Sequence, residues 1–569
     1  MQPVEEAFSL AKRRIIKVAA FSGIVNVLTL SGSIYMLQVY DRVLPTRSFA
    51  TLIGLSAILI LVYALQGFFD SLRIRMLTRI GALFDQSLQK QIYDCILVLR
   101  LRGWDATSVT QPIRDLEVVR QFLSGMGPTA FLDLPWIPFF LIVLLFFHPI
   151  IALGALVGMI LIVGFTFIIE YSTREAAMEA GKLGALRGAM ARITAYNAEV
   201  IHALGMSSRF GEQWRSVNVA YVREILRIRD IEADIGTMAK MLRYILQSAI
   251  LGLGAVLVIT DQATAGIMIA SSIVMGRALA PIEIVLSTWK QFRMMLEALK
   301  RLTGMLSANA ELSQPEFVLP RPTQSLIVRN LHVVPPGSRN VVAMNVSFEL
   351  KPGMGLAVLG HSGSGKSSLA RTLVGVWKPA QGSVCLDGAH IDQWDSDDLG
   401  RYIGYIPQDV ALFDGTIAQN ISRFDKSAND AGILEAAKLA GVHELITSFS
   451  EGYLRKIGEN GSLLSAGQRQ RIALARAVYG DPFMIVLDEP NASLDTEGEQ
   501  ALAETIIKLR ERKCIIVVIS HRISTLSALN MAMILTNGRV LAFGPRDEVL
   551  ANITGAAAPA SPQPEAAAA

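Results

Sequence analysis

Cysteine is scarce in this chain: three in 569 residues, Cys95, Cys385 and Cys514. They stand far apart and share no metal-ligand spacing, which excludes a disulfide framework or a zinc site and reads as reduced thiols in or facing the cytosol. A charge of one sign is lacking too. The 53 Lys and Arg stand against 49 Asp and Glu, a net of +4, so no global field points to a nucleic-acid partner. No cleavable leader is expected either. Lys12, Arg13, Arg14 and Lys17 make a basic start, but the apolar run behind them is long and has no small-residue cleavage site.

Apolar residues are in excess, 51% of the chain with mean hydropathy +0.41, above what an average soluble enzyme carries. They collect before residue 290. Six stretches there each match the roughly 20 residues of helix that a bilayer crossing takes: Val18–Gln38, Ala50–Phe69, Thr129–Phe147, Ile150–Glu170, Tyr244–Thr260 and Ala265–Leu286. Spans three and four are parted by little more than His148-Pro149, and five and six by a few residues around Asp261. Long segments, residues 70–128 and 171–243, follow spans two and four. Lys and Arg concentrate in these segments and in the N-terminal flank, which puts all three in the cytosol and the short turns outside. Both long segments have helical composition with few breakers before Arg102-Gly103 and Gly205-Met206. The spanning helices are therefore expected to continue as paired cytosolic arms, reaching roughly 40 Å at 1.5 Å per residue.

One charge falls in the middle of the sixth span. A lone Arg277 there costs at least about 2.5–3.5 kcal/mol on insertion scales. It is expected either to line a pathway or to pair with Glu283 beside Pro281. His148, which precedes proline in an exposed turn, carries no chemistry.

After Leu319-Pro320-Arg321-Pro322 the composition becomes that of a soluble α/β domain. Strand-like LAVLG leads into GHSGSGKSSLA, Gly360–Ala370, and a helix-like run follows, the context a Walker A phosphate loop needs. Gly360, Gly363 and Gly365 let the backbone wrap phosphate oxygens, with Ser364 and Ser368 in the same cradle. Lys366 supplies a cation to the β and γ phosphates, Ser367 a hydroxyl for Mg2+, and the helix N-terminus its amides and dipole. Downstream, FMIVLDEP (Phe483–Pro490) is an apolar strand ending in Asp488, for the Mg2+ shell, and Glu489, to polarise the attacking water. LSAGQRQRIALARA (Leu464–Ala477) lies between these motifs. SLD (Ser493–Asp495) and SHR (Ser520–Arg522) follow, with His521 placed to touch a γ-phosphate.

With Gln408 in YIPQDVALF, these motifs stand in the order of the ATPase domain of ABC transporters, which the chain resembles over nearly its whole length. The resemblance implies an all-α six-helix transmembrane domain of the ABC exporter type followed by an α/β P-loop ABC ATPase domain. The expected parts are a flank 1–17, a membrane domain 18–310, a linker 311–325, an ATPase domain 326–555 and an Ala/Pro-rich tail 556–569. It further implies a homodimer with two composite ATP sites. The phosphate loop, Gln408, Asp488, Glu489 and His521 of one subunit would face Ser465, Gly467 and Gln468 of the other, with Asp495 also at the nucleotide and Gln408 also in the Mg2+ shell. IGENG resembles the X-loop of exporters, where Glu459 would contact the other subunit's arms. Two departures stand out: the signature reads LSAGQ, with Ala466 for the usual glycine, and the adenine-stacking aromatic expected near Pro335 is missing.

The membrane half carries YMLQVYDRVLP, DLPWIPFFLIVLLFFHPIIALGAL, NAEVIHALGM, LQSAILGLGAVLVI and MGRALAPIE. With VPPGSRN ahead of the phosphate loop, these strings resemble the inner-membrane ABC component of type I secretion systems, in its protease-exporter branch. That resemblance implies ATP-driven export of unfolded polypeptides, usually glycine-rich calcium-binding repeat proteins with an uncleaved C-terminal signal. The implied partners are a periplasmic adaptor (membrane fusion protein), a TolC-like outer-membrane channel, the secreted polypeptide and the lipid bilayer of the bacterial inner membrane, with the ATPase in the cytoplasm. Arm tips are expected near Asp115–Gln121 and Glu199–Leu204. The short N-terminal flank, without a Cys/His pair, disfavours a leader-cutting peptidase. The alternatives are an exporter of lipid or small molecules and, from another class, an ATP-gated channel or regulatory subunit, against which Lys366, Glu489 and His521 speak.

Overall fold

The computed structural model describes residues 3–310, 319–520 and 522–555. Its contacts define two units, Met1–Leu97 with Asp105–Glu311, and Val98–Trp104 with Leu312–Ala569.

The first unit is helical. Its main elements are α1 (Pro3–Leu28), α2 (Ser31–Gln38), α3 (Phe49–Leu101), α4 (Gln111–Ser124), α5 (Gly127–Asp133), α6 (Ile137–Phe147), α7 (Pro149–Tyr196), α8 (Ala198–Ala203), α9 (Ser207–Ile259) and α10 (Ala265–Ala310). Val4–Thr46, Phe49–Leu101, Gly127–Phe147, Ser207–Ile259 and Ala265–Ser307 are long and apolar enough to cross a membrane. The fourth expected span falls on α7, whose described apolar part is Pro149–Gly164. Helices α3, α7 and α9 run 53, 48 and 53 residues, far beyond the roughly 20 a crossing takes, so the arms do continue the spans. Along α7 and α9, Arg187 donates to Asn218 at 3.1 Å and lies 4.2 Å over the Tyr221 ring.

Three local expectations change. The first span is not one helix: it breaks at Thr29–Leu30. There the Thr29 and Ser33 hydroxyls donate to the Asn26 and Leu30 carbonyls at 2.6 and 2.7 Å, competing with the helical ladder. Asp115–Gln121 is not an arm tip but the interior of α4. Asp115 is 1% exposed and pairs with Arg301 of α10 at 2.7 Å, while the chain turns at Gly103, whose φ is 82°. The other expected tip, Glu199–Leu204, coincides with the short α8 between two long helices. Finally, Glu283 pairs with Arg243 of α9 at 2.6 Å, leaving Arg277 exposed. The expected Arg277–Glu283 pair is not formed: the Glu283 carboxylate accepts from Arg243 instead.

The second unit holds two sheets. Strands β1 (Leu326–Val333), β2 (Ala343–Leu350), β4 (Gln381–Leu386) and β5 (Ala389–His390) form an antiparallel sheet in the order β2-β1-β4-β5. Strands β3 (Gly355–Leu359), β6 (Ile403–Ile406), β7 (Met484–Asp488), β8 (Ile515–Ile519), β9 (Met531–Thr536) and β10 (Arg539–Pro545) form the other, in the order β10-β9-β3-β8-β7-β6. All its pairings are parallel except β9 with β10. MIVLD and IIVVI are buried throughout, as strands covered on both faces must be. Alternate residues serve two cores: Met484 and Val486 face one with Leu331 and Val346, and Ile485 and Leu487 the other with Ile472 and Leu502.

Because these strands are parallel, their carboxyl ends share one edge, where ligands bind in such sheets. There β3 runs into Gly360, β6 into Gln408, β7 ends at Asp488 and β8 runs into Ser520.

Candidate active site

Gly360, Gly363 and Gly365 have φ of 150°, 80° and 95°, which L side chains rarely adopt. Space matters at two of them: a Cβ on Gly360 would strike the Leu535 carbonyl oxygen, and one on Gly365 that of Val342. Gly363 is open, so its requirement is conformational alone. The loop feeds α11 (Lys366–Leu373). Lys366 folds back, its Nζ donating to the carbonyls of Gly360 and His361 at 2.7 Å each, so the loop is closed around its own cation. Ser364 is buried with an unpartnered hydroxyl, and Ser368 stands in the first turn of α11.

Across this loop the Ser367 hydroxyl donates to Asp488 Oδ1 at 3.2 Å, while the buried Asp488 Oδ2 has no partner. A hydroxyl beside an unsatisfied carboxylate oxygen is a donor set that a hard divalent cation accepts. Burial raises the Asp488 pKa above the usual aspartate value, with Ser367 opposing and Glu489 adding. Burial also lowers the Lys366 pKa, against the pull of Glu489 and Asp488. Glu489 stands in a left-handed turn, φ 52°, its amide donating to the Ile519 carbonyl at 2.9 Å. Its carboxylate accepts from Gln408 Nε2 at 3.3 Å. His521 lies outside the described residues.

Ser465, Gly467, Gln468 and Asp495 form a second cluster. After α12 (Ser396–Tyr402) comes α13 (Ala466–Val478), which Ser465 caps. The Ser465 hydroxyl accepts from the Gln468 amide at 3.3 Å, and Gln468 Oε1 accepts from the Ser465 amide at 3.0 Å, a capping box. Asp495 caps α14 (Thr496–Glu511) and pairs with Arg471 at 2.6 Å. The Gly498 amide first, then Arg471, hold its pKa low. Among the described residues, no hydrogen bond or ion pair joins Ser465, Gly467, Gln468 or Asp495 to the phosphate loop of the same chain.

Residues 15–279 match the family model of the ABC transporter transmembrane region, and residues 343–492 that of the ABC transporter. The type I secretion system ATP-binding protein PrsD of Rhizobium meliloti is 46% identical over 542 residues, 95% of this chain and 92% of its own length. This chain belongs to the ABC transporters of type I secretion systems. It binds and hydrolyses ATP and couples hydrolysis to protein export across a membrane. The toxin RTX-I translocation ATP-binding protein of Actinobacillus pleuropneumoniae is 28% identical over 550 residues, 96% of this chain and 77% of its own length. In fold, the transporter resembles a bacterial Atm1-family ABC exporter with ATP bound, at TM-score 0.82 and 22% identity, over 97% of this chain and 100% of that one.

Both sequence departures have a local account. Ala466, the first residue of α13, is exposed, whereas a Cβ on the neighbouring Gly467 would sit 2.9 Å from the Ser493 carbonyl oxygen. Only the second glycine position is sterically committed. The loop 334–342 carries prolines and valines and no aromatic, and its Val342 carbonyl abuts Gly365. Sequence reasoning missed Gln470, which ties the two clusters: its Nε2 donates to the Glu489 carbonyl at 3.3 Å and its Oε1 accepts from the Ser493 amide at 3.0 Å. Its signal was present in the polar QRQR run, but nothing in that run separates Gln470 from its neighbours.

Proposed function

We propose that this transporter moves unfolded polypeptides from the cytoplasm across the bacterial inner membrane to the exterior, driven by two composite ATP sites in a homodimer. The observation that carries the reading is the convergence of Lys366, Ser367, Gln408, Asp488 and Glu489 at one sheet edge. The separation of Ser465, Gly467 and Gln468 from that edge supports a site completed by a second copy.

Lys366 binds the β and γ phosphates, exchanging its loop carbonyls for phosphate oxygens, and the glycine-lined loop and α11 N-terminus supply amides. Ser367, Gln408 and Asp488 would hold Mg2+, which neutralises phosphate charge when bound. Glu489, oriented by its turn and by Gln408, takes the proton of the attacking water. His521 is assigned to the γ-phosphate, and Ser364, Ser368 and Asp495 to nucleotide contacts. Ser465, Gly467 and Gln468 close on the nucleotide of the partner subunit. Glu459, exposed beside the signature, meets the partner's arms.

The cargo is assigned to glycine-rich calcium-binding repeat proteins with an uncleaved C-terminal signal, handed to a periplasmic adaptor and a TolC-like outer-membrane channel. Relatives named for type I secretion and for toxin translocation support this class. The experiment compares the secreted proteins of the native host with those of strains lacking this chain or carrying Glu489→Gln. Loss of one or a few large, glycine-rich, cysteine-poor proteins in both strains is expected. An unchanged medium, with the transporter expressed, overturns the reading and returns lipids or small molecules as cargo.

A further inference from the structure

An arginine drawn out of solvent is ordinarily held by a carboxylate. Arg423 is half-buried and is held by none among the described residues. It follows the short helix Ile417–Ile421, and all its acceptors are backbone carbonyls. Nε donates to Arg476 and Nη2 to Ala477, both at 3.0 Å; Nη1 donates to Ile403 at 3.3 Å and, closer, to Gly400. These oxygens belong to two helix ends. Arg476 and Ala477 close α13, while Gly400 and Ile403 close α12. Such carbonyls lack partners within their own helix and carry the negative end of its dipole. One guanidinium therefore caps two helices at once. Burial, with Arg476 nearby, brings the Arg423 pKa down to about 10, still far above neutrality.

The surroundings enforce this arrangement. Arg423 and Phe424 have φ of 57° and 60°, left-handed values that successive non-glycine residues hold only under constraint. Asn420, fully buried, fixes the same segment by donating to the Phe413 and Thr416 carbonyls at 2.9 and 3.1 Å. On the other side, Gly404 of β6 has no room for a Cβ against the Ala477 carbonyl.

The joint stands between two parts of the nucleotide machinery. Helix α13 starts beside the signature Ser465 and its last turn meets Arg423; β6 begins at Ile403, whose carbonyl Arg423 also holds, and leads to Gln408. We propose that Arg423 is a positioning residue that sets the angle of the signature helix on the ATPase sheet, so that the Ser465 end reaches the partner subunit's nucleotide. This rests on the two-subunit site proposed above. Lysine keeps the charge but loses the planar fork, so it can cap one helix end and not both.

The test uses the full-length transporter in nanodiscs, trapped with Mg2+, ATP and vanadate and irradiated, so that vanadate in the γ-phosphate position cleaves adjacent backbone. In the wild type, cleavage is expected at the phosphate loop and at the signature. In Arg423→Lys, phosphate-loop cleavage and the KM for ATP are expected within about twofold of wild type, while signature cleavage and kcat fall about tenfold or more. Retention at both places overturns the inference, and so does equal loss at both, which is what simple loss of fold gives. Wild-type cleavage at the phosphate loop alone refutes the composite site itself, and this inference with it.

Discussion

The Ser367 hydroxyl donates to Asp488 Oδ1 at 3.2 Å, joining the residue after the phosphate-loop lysine to the last residue of β7. The other carboxylate oxygen is buried without a partner. A carboxyl whose pKa is raised in the fold stabilises as its protonated form, fully below the unfolded value, and loses that contribution as pH rises through the folded value. Burial raises Asp488 in this sense, so its ionised form is a burden at neutral pH until a cation arrives. Nucleotide-free Asp488→Asn is therefore expected to unfold at a higher temperature than wild type at neutral pH. The gap should close as pH falls through the raised carboxylate range, and Mg2+ with ATP should stabilise only the wild type. Differential scanning fluorimetry checks all three, and a lower unfolding temperature for the apo variant at neutral pH contradicts the account.

Lys366 and Glu489 stand at the same edge but should fail differently. Removing Lys366 deletes charge-assisted bonds of about 1.5–3 kcal/mol, so Lys366→Ala is expected to weaken ATP binding about 10- to 100-fold. Glu489→Gln keeps shape and loses the base. Its ATP affinity should stay near that of wild type while kcat falls about 10²- to 10⁴-fold. Equilibrium binding and single-turnover hydrolysis separate the two, and near-normal turnover by Glu489→Gln would remove it from the role of base.

The signature offers a steric contrast. Ala466 is exposed at the start of α13, so Ala466→Gly should leave ATPase activity within about twofold, the helix-propensity penalty being at most about 1 kcal/mol. Gly467→Ala drives a methyl group to 2.9 Å from the Ser493 carbonyl, displacing the segment that bears Asp495. Its kcat is expected to drop about tenfold or more. If Ala466→Gly proves the more damaging, the close approach at Gly467 is not what the motif protects.

These glycines show what the sequence could disclose. Walker A, Walker B and the signature were legible because phosphate binding fixes residue types at fixed spacing. Long helices were legible from hydropathy and the lack of breakers. Partners across the chain were not. Nothing local says that Glu283 takes Arg243, that Asp115 sits inside the arm against Arg301, or that Arg423 gathers four carbonyls. Each depends on which helices lie side by side, which a hydropathy pattern leaves open. Thr29 and Ser33 broke the first span through hydroxyl bonds that composition does not count.

With Glu283 paired to Arg243, exposed Arg277 makes no ion pair or hydrogen bond among the described residues. Arg277→Ala is accordingly expected to leave folded yield and ATPase activity within about twofold, since exposed substitutions away from such pairs shift stability by only about 0.5 kcal/mol. Secretion of the cargo should fall severalfold if the side chain lines the path. Comparing secreted cargo with ATPase activity of the same preparation decides it, and parallel loss of both would argue for a structural role.

A buried ion pair of the membrane half makes the sharpest stability prediction. Arg73 on α3 donates to Asp133 of α5 at 3.0 and 3.1 Å, and Asp133 also accepts from Asn26 at 2.7 Å and from Ser22, both on α1. Arg73 Nη2 donates to Asp70 at 2.7 Å. Three helices thus meet at one carboxylate, with Arg73 and Asp133 side chains only 8% and 13% exposed. Removing Arg73 strands the Asp133 charge, and removing Asp133 leaves Arg73 only the half-exposed Asp70; breaking a buried pair costs up to about 3–5 kcal/mol, whereas replacing both by apolar residues is often neutral. Asp133→Leu alone should therefore destabilise strongly, and adding Arg73→Met should restore much of the loss. Thermal unfolding of the two single variants and the double variant in the same detergent measures the coupling. Additive losses, with no recovery in the double variant, would show that Asp133 acts through Ser22 and Asn26 rather than by neutralising Arg73.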